Sequence, residues 1–205
     1  MKMAKLKPVA MIAFTLCVLV VTSCASAPTT HTTVLGSWKL DNFNKKLSNF
    51  LVISLSEEPG IRGKVESIQA ERLKQAGLSA MASSDIMPPG EEISRRTVKA
   101  AMSGKDFDGV LVTHLLGVDS GAVYVPPSPD TSFESSFNSN IPMVVSPGRV
   151  EYRSVISLQI DLYDRVTEHL VWSLKSQSVN ADNVDAVVNA LTDVVIKDLR
   201  IKNLI

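Results

Sequence analysis

From Val150 to Tyr163 the chain alternates by twos. Ile156, Leu158, Ile160 and Leu162 fall on one side, and Ser157, Gln159, Asp161 and Tyr163 on the other. That period belongs to a strand with one face buried and one face wet. A turn around Asp164 to Glu168 leads to Leu170, Trp172 and Leu174, which alternate again. The two segments therefore form an antiparallel hairpin with a shared apolar face, and the rest of the chain must cover that face.

One cover is legible at the C-terminus. Val184, Val187, Val188, Leu191, Val194 and Val195 repeat at helical spacing within Asp182 to Leu199. Many are β-branched, so packing rather than propensity must hold this helix. Upstream, Phe50-Leu51-Val52-Ile53 within Asn49 to Ser56 is an apolar run suited to a strand buried on both faces. Pro59 suits the first turn of a following helix. Glu57 and Glu58 lie at its positive end, which accounts for them more simply than an acid–base carboxylate pair. Ile61, Val65, Ile68, Leu73 and Ala76 approximate its inner face, and Gly77 is a left-handed stop.

Ser79 to Met87 reads as a weaker strand, and Pro88-Pro89-Gly90 as a turn. Glu91 to Ser103 reads as a second helix, with Glu91 and Glu92 in its first turn and Gly104 after it. Phe107 to Leu116, with Val110-Leu111-Val112, reads as another buried strand. Trp38, Leu40 and Phe43 suggest a short edge or cap before all of these. The order β-α-β-α-β-β-β-α predicts an α/β class, with α+β the alternative. Residues 35–205 form one sandwich domain on a mixed sheet, parallel at first and antiparallel at the late hairpin. No internal repeat is visible.

The N-terminus is of another kind. Lys2, Lys5 and Lys7 precede an apolar run from Val9 to Val21 broken only by Thr15. This is the order of a secretory signal. The run has 13 residues, whereas a membrane-spanning helix needs about 20. It closes in Val21-Thr22-Ser23-Cys24, which resembles the lipobox of bacterial lipoproteins. That resemblance implies a signal peptide over 1–23 and diacylglyceryl modification of Cys24. A thiolate is the nucleophile such a transfer needs. The alternative is an ordinary signal peptide cut at Ala25 or Ala27, with Cys24 discarded. Residues 24–34 are small, polar and aperiodic, and read as a lipidated tether. Ala25, rather than Asp, after the cysteine implies sorting to the inner leaflet of the outer membrane, facing the periplasm.

Cleavage before Cys24 leaves 182 residues, enough for one domain with a real core. Cys17 lies in the signal and Cys24 is consumed by lipid, so disulfide, zinc–cysteine and iron–sulfur chemistry are excluded from the mature domain. Loss of the three signal lysines leaves 18 basic against 21 acidic residues. Without a basic tract, no nucleic-acid partner is expected.

Catalytic patterns are missing. His31, His114 and His169 have no metal-ligand spacing. Gly117-Val118-Asp119-Ser120-Gly121 has its serine one place late for a nucleophile elbow. No cofactor and no enzymatic activity are expected. Arg62 and Glu66, four apart, are either a charged patch for a partner or an exposed helical ion pair worth a few tenths of a kcal/mol, the simpler account. The segment 117–148 holds five prolines, seven serines, and Tyr124, Phe133 and Phe137. An excursion of that length is usually functional or disordered. It is either a flap offering aromatics to a partner or a lid over the sheet.

Four stretches carry a family resemblance: Ile53-Ser54-Leu55-Ser56-Glu57-Glu58-Pro59-Gly60-Ile61-Arg62 with Glu66; Asp108-Gly109-Val110-Leu111-Val112-Thr113; Tyr124-Val125-Pro126-Pro127; and Leu162-Tyr163-Asp164 with Leu170-Val171-Trp172-Ser173. In these the chain resembles small Gram-negative envelope lipoproteins of unassigned activity, with a TolB-N-terminal-like α/β plan. The resemblance implies a fold and an address, not an activity. The expected function is that of a non-enzymatic accessory protein, docking an envelope protein while lipid holds it to a membrane. The alternatives are a carrier of a lipid or glycan, and an envelope enzyme of unknown type.

Overall fold

The computed structural model describes residues 30–88, 90–126, 128–129, 145–179, 181 and 183–205. Six strands form one open mixed sheet: β1 (His31–Lys39), β2 (Asn49–Leu55), β3 (Ser79–Ala82), β4 (Gly109–Val125), β7 (Arg149–Asp164) and β8 (Leu170–Val179). Their spatial order is β1-β8-β7-β4-β2-β3. Two short strands, β5 (Ser128–Pro129) and β6 (Val145–Ser146), pair separately. The helices are α1 (Pro59–Gln75), α2 (Arg95–Met102) and α3 (Val184–Ile201). Strand β2 runs parallel to β3 and β4, and every other pairing in the sheet is antiparallel. The α/β class and the mixed sheet are as expected.

The core follows from the alternation of β2. Phe50 and Val52 join Leu73, Leu111, Ile160, Leu162, Trp172, Leu174, Leu191 and Leu199 between the sheet and helices α1 and α3. Leu51 and Ile53 face the other way, onto Met102, Phe107 and Val110. Trp172 is fully buried, and its indole N–H donates to Asp198 Oδ2 at 2.7 Å. Asp198 Oδ1 accepts from Ser37 Oγ at 3.0 Å, so one carboxylate ties β8, β1 and α3 together.

Several boundaries differ from expectation. Strand β1 begins at His31, inside the segment read as tether, with His31 opposite Val179. It is an exposed edge strand with little apolar content, so burial left no pattern to read. Strand β3 stops at Ala82, where a 3₁₀ turn over Ser83–Asp85 begins. Helix α2 starts at Arg95, not Glu91. Ser94 and Thr97 form a reciprocal capping box: Ser94 Oγ accepts from Thr97 N, and Thr97 Oγ1 accepts from Ser94 N at 2.9 Å. That pair outweighed the acidic residues before it.

The largest difference concerns the excursion. Residues 117–125 extend β4, and β7 begins at Arg149, so the two strands pair continuously from Gly109–Asp164 to Val125–Arg149 with a bulge between Leu115 and Gly117. Glycine, serine and proline content hid a long ribbon. Phe133 and Phe137 lie outside the described residues, as does Cys24.

Two carboxylates stitch the end of the sheet near Lys45. Asp108 accepts from Ser48 N and Ser48 Oγ, both at 2.8 Å, and from Asn49 N at 3.1 Å. Asp164 accepts from Thr167 N at 2.8 Å, Thr167 Oγ1 at 2.9 Å and Lys45 Nζ at 3.0 Å. Burial alone would raise both acids. The hydrogen bonds and the Lys45 charge outweigh it and hold both below their ordinary 3.8. Folding thus favours the ionised forms, and their contribution is complete above the unfolded value. It is lost as pH falls through the folded values. Asp164→Asn is expected to cost ~1–2 kcal/mol at pH 7, the scale of a charge-assisted hydrogen bond. Its stability should then fall less steeply than the parent's below about pH 4, in urea titrations across pH.

Candidate binding groove

The sheet has two faces but unequal cover. Two long helices, α1 and α3, roof one face, whereas among the described residues the other carries only the eight-residue helix α2. An eight-residue helix is about 12 Å long and spans only part of such a sheet. Beside it lies a groove of about 580 Å³. Ile53, Leu55, Val110 and Val112 from the sheet form its apolar floor, with Ile93, Val98 and Met102 on the helix side.

The rim is polar. Glu168, in the β7–β8 turn, takes ion pairs from both Arg95 and Lys99 of α2. Those two cations hold its carboxyl below the ordinary range against a small opposing effect of burial. His114 Nε2 lies 3.2 Å from Asp161 Oδ2. Asp161 is buried and also accepts from Ser173 Oγ at 2.6 Å and from Gln159 Nε2 at 3.0 Å. Burial and the nearby Asp161 charge raise the Tyr163 phenol above its ordinary 10, so it stays a neutral hydroxyl at the groove wall. The rim carboxylates are thus engaged by neighbouring donors, and the apolar floor is what the groove offers to solvent. Among the described residues, no cluster of His, Cys, Asp and Glu has metal-binding geometry.

Arg62 and Glu66 are not the exposed pair the spacing suggested. Their side chains are 14% and 0% exposed. Glu66 Oε1 accepts from Ser54 N at 3.0 Å, Arg62 Nε at 3.1 Å and Ser83 Oγ at 2.7 Å, while Oε2 accepts from Ser84 N at 2.8 Å. Arg62 also donates to Ser83 Oγ at 3.0 Å and to Glu91 O at 3.4 Å. The pair is therefore an internal fastener joining α1, β2 and the segment that leads into α2. A surface patch for a partner is not available there. The inner face of α1 is accordingly Val65, Glu66, Gln69, Ala70 and Leu73, with two polar residues at core positions. Gln69 is satisfied in part by Thr113 Oγ1, at 3.0 Å.

Tyr124 is exposed, on the outer part of β4. Register places it with Val118, opposite Ile156, on the face that α1 and α3 cover elsewhere, so it does not join the groove. The groove residues were missed in the sequence. One signal was present: a strand apolar on both faces, Phe50 to Ile53, requires cover on both.

No protein-family model matches the chain, and no curated protein matches it. Solved structures with a similar plan include PelC from Paraburkholderia phytofirmans, described as a dodecamer. It is 15% identical, with 82% of this chain and 97% of that one aligned at a TM-score of 0.47. Lipoprotein GNA1162 from Neisseria meningitidis is 12% identical, with 75% and 98% aligned at a TM-score of 0.40.

Proposed function

We propose that this chain is a lipid-anchored accessory protein of the bacterial envelope that binds a protein partner in the groove beside α2. The single observation that carries the reading is the uneven roofing of the sheet, which leaves a 580 Å³ apolar hollow open to solvent. Hollows of that size accept one or two large side chains or a small ligand. The rim carries Arg95, Lys99 and Arg165 against Asp164 and Glu168, a net positive border. A partner segment with large apolar side chains next to an acidic residue fits both floor and border. The signal-like N-terminus and Cys24 support the anchor, and Ala25 supports placement in the outer membrane. The rim carboxylates, each already held by neighbouring donors, favour binding over catalysis.

The test is photo-crosslinking in intact cells from Leu55 and His114, at the groove, with Lys74 on the outer face of α1 as control. A discrete protein adduct from the groove positions, weakened by Lys99→Glu, is expected. Adducts no stronger than from Lys74 overturn the reading. A copurifying lipid or glycan in place of a protein adduct points instead to the carrier alternative.

A further inference from the structure

We infer that the apolar face of the β4–β7 ribbon lies on the bilayer that holds the N-terminal anchor. The inference rests on the anchor reading above and goes beyond it to a second membrane contact.

The register defines where the ribbon leaves the sheet. His31, Val179, Val155 and Asp119 form its last four-stranded row. Beyond that row, six pairs from Ser120–Ser154 to Val125–Arg149 continue with two strands alone. At about 3.4 Å per residue, this ribbon reaches ~20 Å past the row. An isolated two-stranded ribbon is marginal in water. This one carries Tyr124 and Val150 more than half exposed, and Leu115, Leu116 and Val118, just before the row on β4, are exposed to a similar degree. Register puts Val118, Tyr124 and Val150 on the face of Ile156, Leu158 and Ile160, so the core stripe runs on past the last four-stranded row. The alternate positions hold Asp119, Val155, Arg153 and Arg149. A stripe of this kind implies cover.

The tether identifies the cover. Strands β4 and β8 run the same way and β1 runs opposite to them, so the chain N-terminal to His31 leaves from the end where the ribbon projects. From Cys24 to His31 the chain spans at most about 24 Å. Fully extended, it reaches only a few Å past the Val125–Arg149 pair, so the lipid surface lies within the length of the ribbon. Tyr124, near the tip, has the amphipathic ring that favours the headgroup boundary.

The precursor's two cysteines are Cys17 and Cys24. A single introduced thiol is therefore selectively labelled in the mature, acylated protein. Val118→Cys, Tyr124→Cys and Val150→Cys, with Asp119→Cys as control, are labelled with a polarity-sensitive fluorophore. Each full-length variant is then reconstituted into phosphatidylcholine–phosphatidylethanolamine vesicles. Blue-shifted emission quenched by acyl-chain nitroxide lipids is expected at the first three positions and not at the control. Water-like emission at all four overturns the proposal. So does a blue shift that the nitroxide lipids fail to quench, which signifies protein cover from a second copy or a partner. The mass of the N-terminal peptide, read on the same samples, separates the two ideas. Acylated protein with a wet ribbon refutes the ribbon contact alone. Unacylated protein refutes the anchor, and this proposal with it.

Discussion

Glu66→Ala should cost ~3–5 kcal/mol of folding stability, the range for removing one partner of a buried ion pair. The reason is the number of groups that depend on one carboxylate. Ser54 N, Ser84 N, Ser83 Oγ and Arg62 Nε all donate to it. Truncation leaves two backbone donors and a guanidinium without their acceptor in a site closed to water. Glu66→Gln keeps the shape but turns one acceptor into a donor facing another donor, and should cost ~2–3 kcal/mol. Adding Arg62→Met to Glu66→Gln should recover part of that loss, because the stranded cation is gone. Urea midpoints of the four proteins check the set. Hydrogen exchange adds a local readout: amides from Ser83 to Met102 should lose protection first, since the fastener holds the segment leading into α2. Equal loss everywhere would mean the network is simply part of the global core.

Trp172→Ala should cost a similar ~3–5 kcal/mol, by a different route. The indole is fully buried among Leu162, Leu174, Leu191 and their neighbours, so its removal opens a large cavity. Trp172→Phe separates the cavity from the hydrogen bond. It retains most of the ring and loses the donor to Asp198, for ~1–2 kcal/mol. Asp198 also accepts from Ser37, so both variants should loosen β1 before the rest of the sheet. Thermal melts and exchange rates on His31–Lys39 measure the two parts.

What the sequence revealed depended on how strongly burial patterned it. Strands β7 and β8 and helix α3 each press a continuous apolar stripe into the core, and their periods were plain in the residues. Strand β2 was legible for the same reason. Strand β1 and the outer ribbon were not, because edge and projecting strands bury little and their pairing is carried by backbone groups common to all residues. The α2 boundary turned on Ser94 and Thr97, two side chains satisfying each other, which overrode the acidic residues upstream. Arg62 and Glu66 had the spacing of a surface pair. Only tertiary placement, with β2 and the Ser83 turn closing over them, made them interior. The groove was the least legible feature, being set by the helix that fails to cover the sheet rather than by any motif.

The placement of β1 also bears on mechanics. Any pull transmitted through residue 30 enters at one end of an edge strand, along the strand axis. Its eight register pairs with β8 are then loaded side by side in shear, rather than unzipped one after another. A strand that adds little by burial would thus serve as a tensile joint, able to carry strain from the segment before it to whatever grips the opposite end of the sheet.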